Sequence, residues 1–252
     1  MVATLEQAQI NQVIRIPVTD IQIRFNLRHG WGTDGVNKVY NPHIQQLKES
    51  ILRQGFKASE PVEIYIDENG NKILKEGHNR VEACMQILEE DPEYVFIPSG
   101  EPTEIFAVIV DEPKDLFELI ESQKDSNRTL QNTPVDLAKS VYELMQQGSL
   151  VDEEGNTVSK KIKKLELINR RLFKKEKGYV YTQALYRLYM LDKDILDWIQ
   201  ASTLERENLD GLEELDTPAL TLSWTAARKL IEWFPDTKDE VKAQKASEVL
   251  KN

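Results

Sequence analysis

At 252 residues, 40% of them hydrophobic, the chain has room for one large or two small cores and reads as a globular protein. No apolar run approaches the roughly 20 residues of a membrane span, Met1 to Asn11 lacks the basic start and apolar block of a signal peptide, and a single Cys84 excludes an internal disulfide framework and a thiolate metal cage. A cytoplasmic protein without a membrane partner is expected, and its formal charge of −11 argues against indiscriminate coating of nucleic acid.

Residues 13 to 111 carry mixed helix and strand signals. Ile14 to Ile23 is strand-like with polar interruptions, and Gly30 to Gly35 is a flexible loop. Asn41-Pro42 reads as an N-cap followed by a first-turn proline, and Ile44, Leu47 and Ile51 recur at helical spacing up to Gly55, which predicts a helix of about 13 residues. Val62, Ile64 and Ile66 alternate as a strand, Asp67 to Asn71 makes a hairpin turn, and Lys72 to Lys75 returns. A glycine turn then opens a helix with Val81, Cys84 and Leu88 on one face, and Phe106 to Val110 completes the sheet.

From Pro113 onward strand signals vanish. Pro113 and Pro134 open helical patterns, with Thr133 as the N-cap of the second. Ser149 to Thr157, polar and acidic, reads as a linker or long turn. Helices follow at about 160–175, 180–191 and 193–201, then a polar stretch from Glu205 to Asp216, then a helix near 223–234. The expected fold class is α+β: a small mixed α/β domain over 1–112 and an all-helical domain over 113–252.

Two segments carry chemistry. The first is Lys72 to Leu88, KILKEGHNRVEACMQIL, a strand, a glycine turn and a helix opening on His78-Asn79-Arg80. The first helical N–H groups lack intrahelical partners and carry the positive end of the helix dipole. Gly77 lets a phosphate approach the backbone, and Arg80 adds a fixed charge. A purely structural strand-to-helix turn has the same pattern.

The second is Lys160 to Lys177, where nine Lys and Arg face only Glu166 and Glu176, making +7 locally and −18 elsewhere in the −11 chain. Ile162, Leu165, Ile168 and Leu172 give one apolar stripe. Gly178 breaks the pattern, and Ala184, Leu185, Leu188 and Leu191 turn inward on a second helix. Thr182, Gln183, Tyr186 and Arg187 then face outward as base or phosphate contacts. Lys160, Lys161, Lys163, Lys164, Arg170, Arg171, Lys174 and Lys175 neutralise backbone phosphates. A solvated basic helix with structural tyrosines is the competing reading.

Other residues offer less. His29, His43 and His78 lack a metal-ligand spacing, Cys84 reads as a small buried hydrophobe, and Trp198, Trp224 and Trp233 read as core; Trp31 in the glycine loop could stack on a ligand.

Read in order, IQQLKESILRQGF, PVEIYI and KEGHNRVEA resemble the glycine-ended helix, the following strand and the G-E-R-R-x-x-A box of the ParB family of plasmid and chromosome partition proteins. ESQKDSNRTLQNTPVDLAKSVYELM is similar to that family's E-N-x-x-R segment, and YRLYMLDKDILDWIQAS and LSWTAARKLIE are similar to the helices after its helix-turn-helix. The resemblance spans about residues 14 to 234. It implies an N-terminal domain of the ParB/sulfiredoxin type that takes CTP, or another nucleoside triphosphate, with Mg²⁺. To this it joins a sequence-specific helix-turn-helix domain that binds double-stranded DNA. By position, Gly77, His78, Asn79 and Arg80 would cradle phosphates, with Asn127 and Arg128 near the nucleotide or metal. A nucleoid- or plasmid-associated location, a homodimer and a ParA-type ATPase partner are further implications, serving partition or transcriptional control.

Two departures bear on this. His78 stands where the family has a glutamate, and a neutral imidazole cannot replace a carboxylate as an Mg²⁺ ligand, so CTP hydrolysis is left open. Only 18 residues follow Phe234, so the family's separate dimerisation domain is not expected here. The alternative is a nucleotide-dependent enzyme of the same N-terminal fold: a small-molecule kinase, an NTPase or a nuclease, with Glu76 or Glu82 as base. Sulfiredoxin chemistry is disfavoured because Cys84 lies six residues after His78, down the helix.

Overall fold

The computed structural model describes residues 10–27, 42–126, 132–206, 223–234 and 238–251. Trp31, the rest of the Gly30–Gly35 loop, His29, Asn41, Asn127, Arg128 and most of the stretch from Glu205 to Asp216 lie outside them. By internal contacts the chain divides into two units. One is Met1–Asn26 with Gly30–Leu119, and the other is Leu27–His29 with Ile120–Asn252.

The first unit is built on a five-stranded sheet. Its strands are β1 (Val13–Pro17), β2 (Ile21–Gln22), β3 (Val62–Ile66), β4 (Lys72–Glu76) and β5 (Glu104–Ile109), in the order β1-β5-β3-β4-β2. The expected single strand Ile14–Ile23 is therefore two, and they form opposite edges of the sheet. Pro17 ends β1 because proline has no N–H for a further ladder bond, and the 3-10 turn Val18–Asp20 redirects the chain. β1 runs antiparallel to β5, β5 parallel to β3, β3 antiparallel to β4, and β4 parallel to β2.

Helices α1 (Pro42–Gln54) and α2 (His78–Glu90) pack on each other. Ile44 and Ile51 of α1 and Val81, Cys84 and Ile87 of α2 join Val62, Ile64, Leu74 and Ile105 of the sheet in one core. The strand periodicity explains this: Val62 and Ile64 are fully buried two residues apart, as alternation requires.

The hairpin β3–β4 closes on Asp67, whose carboxylate accepts the N–H groups of Asn69 and Asn71 at 2.9 and 2.8 Å and is paired with Arg24. Gly70 sits at φ +79°, where glycine is unstrained. Register slips by one residue between Glu63 and Ile64, so Lys75 bulges out and Glu63 lies opposite Glu76 rather than Lys75.

Helix α3 (Leu116–Ser126) carries the boundary between the units. The second unit contains α4 (Pro134–Gln146), the two-stranded β6 (Leu150–Val151) and β7 (Thr157–Val158), α5 (Lys161–Phe173), α6 (Val180–Leu188), α7 (Lys193–Arg206), α8 (Trp224–Trp233) and α9 (Asp239–Lys251). Thr133 caps α4 as the sequence predicts: its hydroxyl accepts from Asp136 N–H while Asp136 accepts from Thr133 N–H, a reciprocal capping box.

Three expectations change. Ser149–Thr157 is a hairpin, not a linker: Asp152 accepts from the N–H groups of Glu154 and Asn156 at 3.0 and 2.8 Å, and Gly155 sits at φ +85°. Helix α9 lies beyond the last helix the periodicity predicts, in a segment whose buried face carries alanine and serine instead of large apolar residues. Trp233, expected in the core, is 77% exposed at the end of α8, while Trp198 and Trp224 are half-buried. The fold class stands as α+β, a mixed α/β sheet unit followed by a helical one that carries this small hairpin.

Candidate functional site

Gly77 links β4 to α2 in the left-handed region, at φ +99°. A Cβ there would meet Val62 Cγ1 at 2.7 Å and Arg80 Nη2 at 3.3 Å, so both backbone sign and space demand glycine. The N–H groups of Arg80 and Val81 return to Gly77 O at 2.9 and 3.0 Å and close the first turn.

His78 is buried with Nε2 2.9 Å from Phe25 O; because a carbonyl only accepts, that nitrogen carries the proton. The ring thus ties α2 to the segment after β2. Arg80 donates through Nη1 to the carbonyls of Glu60 and Pro61, the second at 2.8 Å. Burial pulls its pKa down, opposed by the carboxylates of Glu60, Glu76 and Glu63. Asn79 Oδ1 is buried and meets no donor among the described residues.

Beside this turn lies an open cleft lined by Leu47, Ser50 and Ile51 of α1, Gly55, Phe56 and Lys57 after it, Glu60, and Arg80. Its walls are apolar on the α1 side and polar at Ser50, and they carry two cations, Lys57 and Arg80, beside the Glu60 carboxylate. Periodicity places Leu47 and Ile51 on the inner face of a helix; it does not show that the loop after Gly55 returns to Arg80.

Carboxylates also flank the turn. Burial, then Glu76, pushes the Glu63 carboxyl above its ordinary value, with Lys75 and Arg80 opposing. The sequence offers no sign of this pairing, because without the bulge Glu63 would face Lys75. Glu82 is buried, accepts from Gln86 Nε2 at 2.9 Å, and is pushed up by desolvation. Cys84 is fully buried, and burial raises its thiol strongly, which leaves it unreactive. Among the described residues no three His, Cys, Asp or Glu side chains converge as a metal cage. Asn127 and Arg128 fall outside the described residues.

In the second unit the basic helix is largely engaged within the fold. Lys161 Nζ is 2.8 Å from Asp239 and 5.2 Å from the ring centre of Tyr186, and Arg187 Nε is 2.5 Å from the same Asp239. Arg170 forks onto Glu153 at 2.6 and 3.2 Å. Arg171 and Lys174 reach Glu121 at 2.9 and 3.7 Å, and Lys163 pairs with Glu166 at 2.8 Å. Lys164 is buried, donating to Met145 O at 2.8 Å and Gln147 O at 2.5 Å, so it caps the C-terminal carbonyls of α4. Lys175 lies over the Tyr181 ring at 4.5 Å, and Lys160 is exposed.

The outward set on α6 needs correction. Thr182 is fully buried, with its hydroxyl 3.0 Å from Asn169 Oδ1. Tyr186 is 7% exposed, and Gln183 and Arg187 are half-buried. The reason is that α4, α5, α8 and α9 all pack on α6, so a helix read as having one wet face is enclosed. Asn169 also donates to Lys175 O at 3.1 Å, which fixes the α5–α6 turn.

No protein-family model and no curated protein matches the chain. Solved structures do. The C-terminally truncated chromosome-partitioning protein ParB from Caulobacter crescentus complexed with CTP-γ-S is similar at TM-score 0.32 and 14% identity, over 93% of this chain and 98% of that one. The same truncated ParB complexed to the centromeric parS site is similar at TM-score 0.35 and 14% identity, over 92% and 99%. The pNOB8-like ParB N-domain is similar at TM-score 0.37 and 13% identity, over 95% and 96%. The structural neighbours of the chain are ParB proteins and ParB N-domains, the family whose motifs its sequence resembles.

Proposed function

We propose that this chain is a ParB-like DNA-binding factor, acting in partition or transcriptional control, whose first unit takes a nucleoside triphosphate of the CTP kind. The observation that carries the nucleotide half is the junction of the Gly77 turn, Arg80 and the adjoining cleft. The turn presents helix N–H groups and a fixed cation to phosphates, and the Leu47–Ile51–Phe56 wall receives a base. Asn79 Oδ1 accepts a hydroxyl or amino group of the ligand. Mg²⁺, where used, is held chiefly by the phosphates.

The DNA half rests on the +7 segment, whose exposed cations Lys160, Lys163, Lys174 and Lys175 contact backbone phosphate. Helix α6, enclosed as it stands, contributes little base reading in this conformation.

The test is calorimetry of CTP and ATP with wild type and Arg80→Ala, with and without DNA. Losing a charged hydrogen bond to phosphate costs about 1.5–3 kcal/mol, roughly 10- to 100-fold in affinity. Nucleotide affinity should fall by that much while DNA binding persists. Because Arg80 also holds the Glu60 and Pro61 carbonyls, Lys57→Ala serves as a second variant with the same expected direction. Wild-type protein that binds neither nucleotide would remove this reading.

A further inference from the structure

The helix α9 is attached to its unit in an unusual way. Its fully buried positions are Asp239, Ala243, Ala246 and Ser247, with Val241 and Leu250 half-buried beside them. The stronger ties are polar and sit at the two ends. Asp239, 3% exposed, receives both Lys161 and Arg187; at the other end Lys251 Nζ lies 2.5 Å from Asp192 and 3.7 Å from Asp194, and the Ser247 hydroxyl accepts the Asp192 N–H at 3.0 Å. Between these latches α9 packs on α6, α7 and α8.

The carboxylate at one latch occupies two of the cations that the sequence nominates for DNA, and it stands beside a third nominated residue. Tyr186 lies under Lys161 and within the electrostatic reach of Asp239 and Glu240. Lys161 and Arg187 are therefore engaged together, with Tyr186 beside them, by one helix whose fully buried positions carry no large apolar side chain.

We propose that α9 is an autoinhibitory strap, with Asp239 standing in for a DNA phosphate at Lys161 and Arg187. Duplex DNA displaces it. Release frees the charges of Lys161 and Arg187 on a continuous cationic face of α5 and α6 beside Tyr186, which reconciles the outward sequence pattern of Tyr186 and Arg187 with their positions under α9. The inference rests on the DNA-binding reading above.

The experiment is a salt series of fluorescence anisotropy on a mixed-sequence DNA duplex, using the full chain as wild type, Asp239→Asn and Asp192→Asn. It is paired with amide hydrogen exchange of residues 239–251 with and without DNA. Each freed cation that meets a phosphate adds about 0.9 to the slope of log affinity against log salt, so Asp239→Asn should steepen it by nearly two units and tighten low-salt binding about tenfold or more. Asp192→Asn, which weakens only the far latch, should tighten binding less and leaves Lys161 and Arg187 paired with Asp239. Exchange in 239–251 should speed up when DNA binds wild type.

If Asp239→Asn fails to fold, the Asp192→Asn affinity and the wild-type exchange decide the matter. A folded Asp239→Asn protein with unchanged or weaker binding overturns the strap, as does undiminished protection of 239–251 at saturating DNA. A wild type and variants that all ignore DNA at low salt would instead overturn the DNA-binding reading, and the strap with it.

Discussion

Gly77, Asp67 and Glu63 show how much depends on single side chains in the first unit. At Gly77 the left-handed backbone and the 2.7 Å approach to Val62 act together, so Gly77→Ala should destabilise by about 1–3 kcal/mol, read as a lower denaturant midpoint. The two carboxylates respond oppositely to pH. Bonds from Asn71 first, then from Arg24 and Asn69, hold Asp67 well below its ordinary 3.8. Its contribution is present above 3.8 and disappears as pH falls through its depressed folded value. The stability gap between wild type and Asp67→Asn should therefore be open at pH 7 and close as pH drops below about 4 in a series of denaturation curves. Glu63 is raised by burial and by Glu76 from 4.5, so its charged form is disfavoured in the fold. Its penalty is absent below 4.5 and grows as pH rises through the raised value. Glu63→Gln should raise the melting temperature at pH 8 and leave it nearly unchanged at pH 4.

Helix and hairpin boundaries follow local chemistry closely where that chemistry is strong. Pro42 to Gln54 ends before Gly55, and Thr133-Pro134 opens α4 with a capping box, both legible from the residues alone. Because Thr133 also donates to Gln200 Oε1 at 2.5 Å in a buried setting, Thr133→Ala should cost about 1–2 kcal/mol, measured by denaturant melts. The two hairpins share one device: Asp67-Glu-Asn-Gly-Asn71 and Asp152-Glu-Glu-Gly-Asn156 each fold onto the first aspartate. The second is missed by periodicity because its strands are two residues long, yet the repeated turn pattern announces it. The bulge between Glu63 and Ile64 carries no comparable signal in the residues around it.

Across the whole molecule, acidic composition and a basic segment oppose each other. Most cations of Lys160–Lys177 are matched by carboxylates from distant elements, Glu121, Glu153 and Asp239, as well as by Glu166 nearby. On the proposed DNA-binding reading, the exposed lysines meet backbone phosphate first. Replacing Lys160, Lys163 and Lys175 by alanine should weaken DNA binding at every sequence and lower the salt slope by nearly three units in anisotropy titrations. Melting temperature should move little, since exposed charges of this kind contribute about 0–1 kcal/mol.

The amino-acid sequence by itself determined the hairpin of the first unit, the helix starts at Pro42, His78 and Pro134, the glycine at the turn, and the α+β order, since each is a matter of neighbours a few residues apart. Tertiary structure alone decided that one strand signal would become both edges of a sheet, that Glu63 would face Glu76, and that α6 would be enclosed under a helix built on alanine. Those outcomes join residues 13 to 95 positions distant in the chain or packed through small side chains. Periodicity records which face of an element is apolar and is silent about which partner, wet or dry, will cover the other.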